Sequence, residues 1–176
     1  MTGDVAAPAF AGRRVLVAGG SRGIGFAISD AFAPESAAVS LCARDTAGLR
    51  RAADALARHG RPVHPVACDL ADASRIDAWV GSAEDALGGI DIVVNNASAL
   101  SHAQGDAAWQ AGFDVDLMAA VRCNRAALPQ LRRSPAPAIL NVSSINTLNP
   151  TPRAPAIRRS SRAELLHHDA GRRPRA

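Results

Sequence analysis

Three glycines pose the first chemical question. Gly19, Gly23 and Gly25 lie in Ala18-Gly19-Gly20-Ser21-Arg22-Gly23-Ile24-Gly25, between the apolar run Val15-Leu16-Val17 and the amphipathic run Phe26-Ala27-Ile28-Ser29-Asp30-Ala31-Phe32. Read physically, this is a strand, a tight turn and the start of a helix. Glycines there let the backbone turn sharply, approach a pyrophosphate and pack the helix on the strand, while the free N–H groups of the helix N-terminus face the phosphates. The outline is that of a dinucleotide site, although a glycine triplet alone also fits a structural turn. Two absences bear on any proton chemistry: the chain has no Tyr, and all 20 of its basic residues are Arg, so it has no Lys.

The elements that must hold such a site follow in strict alternation. After a strand over about 13–18 and a helix over about 23–33, Ala37-Ala38-Val39-Ser40-Leu41-Cys42-Ala43 reads as a buried strand. Asp45 is placed to cap the next helix, which carries Leu49, Ala52, Ala53 and Leu56 at helical spacing and stops at Gly60. Pro62-Val63-His64-Pro65-Val66-Ala67-Cys68 is a third strand whose prolines favour an edge. Asp72 or Ser74 opens a helix that closes at Gly88-Gly89, and Ile90-Asp91-Ile92-Val93-Val94-Asn95 is a strand apolar enough to be covered on both faces. One long helix over about 106–132 precedes a fifth strand, Ala138-Ile139-Leu140-Asn141-Val142. The alternation predicts an α/β fold, a Rossmann-type doubly wound parallel sheet of strand order 3-2-1-4-5, with a ligand at the carboxyl ends of strands one and four.

Composition narrows the class. With 176 residues, 48% of them apolar and 20% charged, the chain suits one globular domain. No apolar run reaches the roughly 20 residues needed to span a bilayer, and Met1-Thr2-Gly3-Asp4-Val5 lacks the pattern of a secretion signal, so a cytoplasmic protein without membrane contact is expected. Cys42, Cys68 and Cys123 have no metal-ligand spacing and read as buried structural thiols; no metal is expected. Residues 1–152 carry 13 Arg against 14 acids, a net −1, whereas residues 153–176 carry 7 Arg against two acids, a net +5. The basic character is thus confined to the tail, where no aromatic residues accompany it, and nucleic acid is not an expected partner. His167-His168 in that tail are adjacent and do not face one metal ion.

The motifs together carry a resemblance. Residues 18–25 resemble the Thr-Gly-x-x-x-Gly-x-Gly cofactor motif of the short-chain dehydrogenase/reductase family, with Ala18 at its first position. Cys68-Asp69-Leu70, Asn95-Asn96-Ala97-Ser98 and Asn141-Val142-Ser143-Ser144 match three further motifs, with Ser98 where the family has Gly. The resemblance implies hydride transfer between a nicotinamide cofactor and a small carbonyl or alcohol substrate. It implies cofactor contacts from Gly19, Ser21, Arg22, Gly23, Ile24, Gly25, Arg44, Asp69, Leu70, Asn95 and Ala97, with Ser144 polarising the substrate carbonyl. Strand two ends in Ala43-Arg44 rather than an acid, and with Arg22 this favours NADP over NAD, because guanidinium suits a 2′-phosphate.

The proton-transfer half departs from the family. An alkoxide formed by carbonyl reduction must receive a proton, and a phenol needs a neighbouring cation to bring its pKa down from about 10. The family's Tyr and Lys fall at Ile157 and Ser161, neither competent, and its supporting Asn falls at Asp116. The expected result is an inactive or strongly impaired chain; a non-catalytic NADP-binding or regulatory protein is the alternative. Family-like sequence ends near Ala156. If Ile157 is encoded ATA before an Arg codon CGN, the frame one base later reads TAC, a tyrosine codon. Likewise His167-His168-Asp169-Ala170-Gly171, as CAC-CAT-GAC-GCG-GGG, contains the codons for Thr-Met-Thr-Arg, which resembles the family's next helix. The same shift does not recover a lysine codon. Residues 1–149 are accordingly expected to form an incomplete dinucleotide-binding domain and 150–176 a poorly ordered Arg/Pro-rich tail read out of frame. Loss of the family's later elements would leave strand five an open edge and put a homo-oligomer in doubt.

Overall fold

The computed structural model describes residues 7–99 and 105–144. The expected boundary at 149/150, Ile157, Ser161 and His167-His168 lie outside them. Within them, five parallel strands form one sheet in the order β3-β2-β1-β4-β5: β1 (Arg14–Ala18), β2 (Ala38–Ala43), β3 (Val63–Ala67), β4 (Ile92–Asn95) and β5 (Ala138–Asn141). This is the predicted order. Strand β3, with Pro65 inside it, takes the edge where a missing N–H costs least.

Alternation along β1 divides the core. Leu16 and Ala18 face the layer that includes Ile76, Trp79, Cys123 and Leu131; Val15 and Val17 face the layer that includes Phe32, Leu49 and Leu56. The first layer is roofed by α3 (Ala73–Leu87) and α5 (Ala119–Arg133), the second by α1 (Gly23–Phe32) and α2 (Thr46–Ala57). Both predicted caps form. The Asp45 carboxylate accepts from Ala47 N, and that of Asp72 accepts from Ser74 N and Arg75 N. All three cysteines are buried, and burial pushes the Cys123 thiol up to about 12.

At the amino ends of the strands, Arg14 and Asp91 lock β1 to the segment entering β4. Arg14 Nε donates to Asp91 Oδ2 and Nη2 to Oδ1, both at 2.8 Å, Arg14 N donates to Oδ2 at 3.0 Å, and Ser134 Oγ adds a fourth donor at 2.6 Å. These bonds, Arg14 first, hold the Asp91 carboxyl down at about 2. Among the described residues no helix is long and apolar enough to cross a membrane.

The long helix expected over 106–132 is not uniform. It runs as α4 (Asp106–Gly112), a π-helical segment (Phe113–Met118) and α5. The wider turns sit where the helix passes the carboxyl ends of the strands, and they carry Val115 and Asp116 to the site below.

Candidate active site

Strand β1 lies between β2, which continues the sheet one way, and β4, which continues it the other. Helices following β1 and β4 therefore leave on opposite faces, and a cleft of about 660 Å³ opens at the carboxyl ends between them. Its wall includes eleven of the residues singled out in sequence: Gly19, Ser21, Arg22, Gly23, Ile24, Arg44, Asp69, Leu70, Ala97, Asp116 and Ser144. Gly25 and Asn95, also singled out, stand behind that wall.

The glycine turn has specific steric reasons. Gly19 has φ +79°, and a Cβ there would lie 2.9 Å from Ala97 Cα, so the turn after β1 and the loop after β4 meet backbone to backbone. A Cβ on Gly25 would fall 2.1 Å from Gly19 O and 2.4 Å from Asn96 Nδ2, so this glycine seats α1 against both loops rather than facing the cleft. Asn96 closes the contact by donating from Nδ2 to Gly19 O at 3.0 Å. Gly20 was given no separate role in the sequence reading, yet a Cβ there would meet Leu41 Cβ at 2.6 Å. Such approaches link positions far apart in the chain, which is why residue type alone hides them.

Charge is arranged along the cleft. The first-turn N–H groups of α1 open onto it, with no acidic residue in that turn to compete for them. Arg22 and Arg44 line the same end and have no ion-pair partner among the described residues. Asp45 also lines it, but its carboxyl is engaged by Ala47 N at 3.1 Å as the cap of α2. Asp69 accepts from Ala71 N at 3.1 Å, which shapes the loop beyond β3.

At the other end, the π segment brings Asp116 beside the loop after β4, where its Oδ1 accepts from Ala99 N at 2.6 Å. Ser143 and Ser144, just beyond β5, line the cleft with Val115, Asp116 and Val142. The sequence reading missed the cleft-lining Val115 and Ser143, and left Ser98 only as a departure from a motif. The donors present fit a dinucleotide: a glycine turn at a helix N-terminus, guanidinium groups at one end and hydroxyls at the other. Among the described residues no group of three or more His, Cys, Asp or Glu gathers to hold a metal ion.

Comparison with known proteins bears on this arrangement directly. Residues 13–157 match the family model for short chain dehydrogenase, a match that ends on Ile157. Isoepoxydon dehydrogenase patN of Penicillium expansum is 36% identical over 138 residues, covering 76% of this chain and 52% of that protein. L-sorbose reductase of Gluconobacter frateurii, solved with NADPH and L-sorbose, superposes with a TM-score of 0.87 at 34% identity, over 92% of this chain and 64% of that one. A metagenomic short-chain oxidoreductase solved with NADP gives a TM-score of 0.83 at 31% identity, over 92% and 76% of the two chains. The chain spans about half the length of the curated relatives it matches. A family match over most of the chain, with the predicted sheet order and the motifs converging on one cleft, makes this protein a member of the short-chain dehydrogenase family of oxidoreductases.

Proposed function

We propose that the cleft binds NADP(H), in preference to NAD(H), in a cytoplasmic protein built for hydride exchange with a small carbonyl or alcohol, and that this chain is deficient in the proton transfer that must accompany it. The observation that carries the reading is the division of one cleft into a cationic end, with Arg22, Arg44 and the α1 N-terminus, and a hydroxyl-lined end, with Ser144 beside Asp116. Two guanidinium groups beside a 2′-phosphate would supply charge-assisted bonds that NAD cannot accept. Asp69 and Leu70 would border the adenine.

Bound NADPH would supply the hydride. Ser144 would donate a hydrogen bond to the substrate carbonyl oxygen, drawing charge onto it. The proton for that oxygen has no source in this chain of the kind the family uses, because Ile157 and Ser161 stand at the Tyr and Lys positions. Asp116, bound to Ala99 N, adds negative charge near developing alkoxide and does not replace a phenol poised by a cation. Missing general acid catalysis costs on the order of 10²–10⁴ in rate.

The alternative reading, a non-catalytic NADP-binding or regulatory protein, shares the binding step and differs in the chemistry. NADPH oxidation measured against a panel of aldehydes and ketones separates them from an active enzyme. Background rates with intact NADPH binding are expected; saturable turnover above background would overturn the proposed deficiency.

A further inference from the structure

Asn124 on α5 does not line the cleft, yet the two loops that form its hydroxyl-lined end are tied back to it. Strand β5 has only β4 as a neighbour in the described sheet, and Val142 N donates to Asn95 O at 2.9 Å where the pair ends. Immediately beyond, Asn96, Ala97 and Ser98 on one side and Val142, Ser143 and Ser144 on the other become cleft wall. Register sets Asn95 opposite Asn141. The Asn95 amide divides its two N–H groups between them: Nδ2 donates to Asn141 Oδ1 at 2.8 Å and to Asn124 Oδ1 at 2.9 Å.

Asn95 is 6% exposed, and its own Oδ1 is buried with no hydrogen-bond partner among the described residues. The orientation of this amide is therefore fixed by its donors alone. Without Asn124, one N–H joins Oδ1 as a buried unpaired group, and the bond to Asn141 Oδ1 alone is left to hold the amide in place. Cys123 and Ala127, on either side of Asn124, are fully buried in the core, so α5 is a firm anchor at this point.

We infer that Asn124 is a positioning residue: through the Asn95 amide it sets the ends of β4 and β5, and thereby the Ala97 and Ser144 loops that would receive the nicotinamide half of the cofactor. The inference rests on the NADP(H) reading above. It separates the two halves of the ligand, because the adenosine end is built on β1, β2 and β3 and does not pass through Asn124.

The test titrates the full chain with two probes, adenosine 2′,5′-bisphosphate and NADPH, following the bisphosphate by calorimetry and NADPH by its nicotinamide fluorescence. Asn124→Leu is expected to leave bisphosphate affinity within about twofold, to weaken NADPH about tenfold and to reduce the emission enhancement of the bound nicotinamide. Asn124→Asp keeps the accepting oxygen and is expected to retain the behaviour of the unsubstituted chain. If Asn124→Leu does not fold, Asn124→Ala carries the same expectations. Unchanged NADPH binding and emission in the leucine or alanine variant would overturn the inference, as would parallel loss of both probes, which marks a purely structural role. Failure of the unsubstituted chain to bind either probe would instead overturn the NADP(H) reading, and this inference with it.

Discussion

Arg44 and Asp45 are adjacent in the chain and both face the cleft, but the carboxyl of Asp45 is engaged as the α2 cap while Arg44 has no ion-pair partner among the described residues. Removing the guanidinium should thus act on the phosphate alone. Arg44→Ala is expected to raise the Kd for NADPH about 10- to 100-fold, the equivalent of one or two charge-assisted bonds, with NADH affinity unchanged; competitive titration of the two cofactors checks this. Gly25→Ala drives a methyl group into the Gly19 carbonyl and should cost at least about 2 kcal/mol of stability in a denaturant melt. Asp91 contributes to stability in acid. Its carboxyl is held at about 2, below the ordinary 3.8, so its contribution is fully present above pH 3.8 and is lost as pH falls through about 2. Asp91→Asn should destabilise the protein by about 3 kcal/mol at neutral pH, the low end for breaking a buried pair, because the Arg14 side chain keeps 29% of its exposure.

Among the elements, the edge strand β3 has a pH dependence of its own. Trp79 Nε1 donates to Ser40 Oγ at 2.9 Å, and Ser40 Oγ lies 3.0 Å from His64 Nδ1. Ser40 Oγ thus accepts from the indole and shares a second hydrogen bond with the half-buried His64 ring. Burial lowers the His64 pKa from 6.5. The neutral form is thus favoured by folding, so stability is full above about pH 6.5 and declines as pH falls below it. In urea melts between pH 5 and 7.5, His64→Gln is expected to flatten this slope; an unchanged slope would assign it elsewhere. The strands, the caps at Asp45 and Asp72 and the glycine turn were legible because each is written in a few consecutive residues. The π segment was not, since the residues from Phe113 to Met118 have types that an α-helix accepts equally well. Nor was the Asn95–Asn124–Asn141 tie, whose bonds span 29 and 46 positions and exist only once the strand register is set.

For the whole molecule, the described sheet ends at β5, with Ile139 38% and Leu140 43% exposed, and α4, the π segment and α5 show Trp109, Phe113 and Leu128 to solvent. An edge strand with an apolar side chain on each face is a template for association. Light scattering should detect concentration-dependent assembly, reduced by Leu140→Arg; a monodisperse monomer with a sharp cooperative melt would count against it. The match to the family stops at Ile157, where the proposed shift of reading frame begins. Resequencing of codons 150–176 is expected to reveal a one-base discrepancy. Among the described residues, every side of the cleft is built from positions before 145. The most direct test of the central claim is a fluorescence titration of the intact chain with NADPH and with NADH. Saturable NADPH binding at least about tenfold tighter than NADH is the predicted result. Equal affinity, or no binding of NADPH at millimolar concentration, would contradict it.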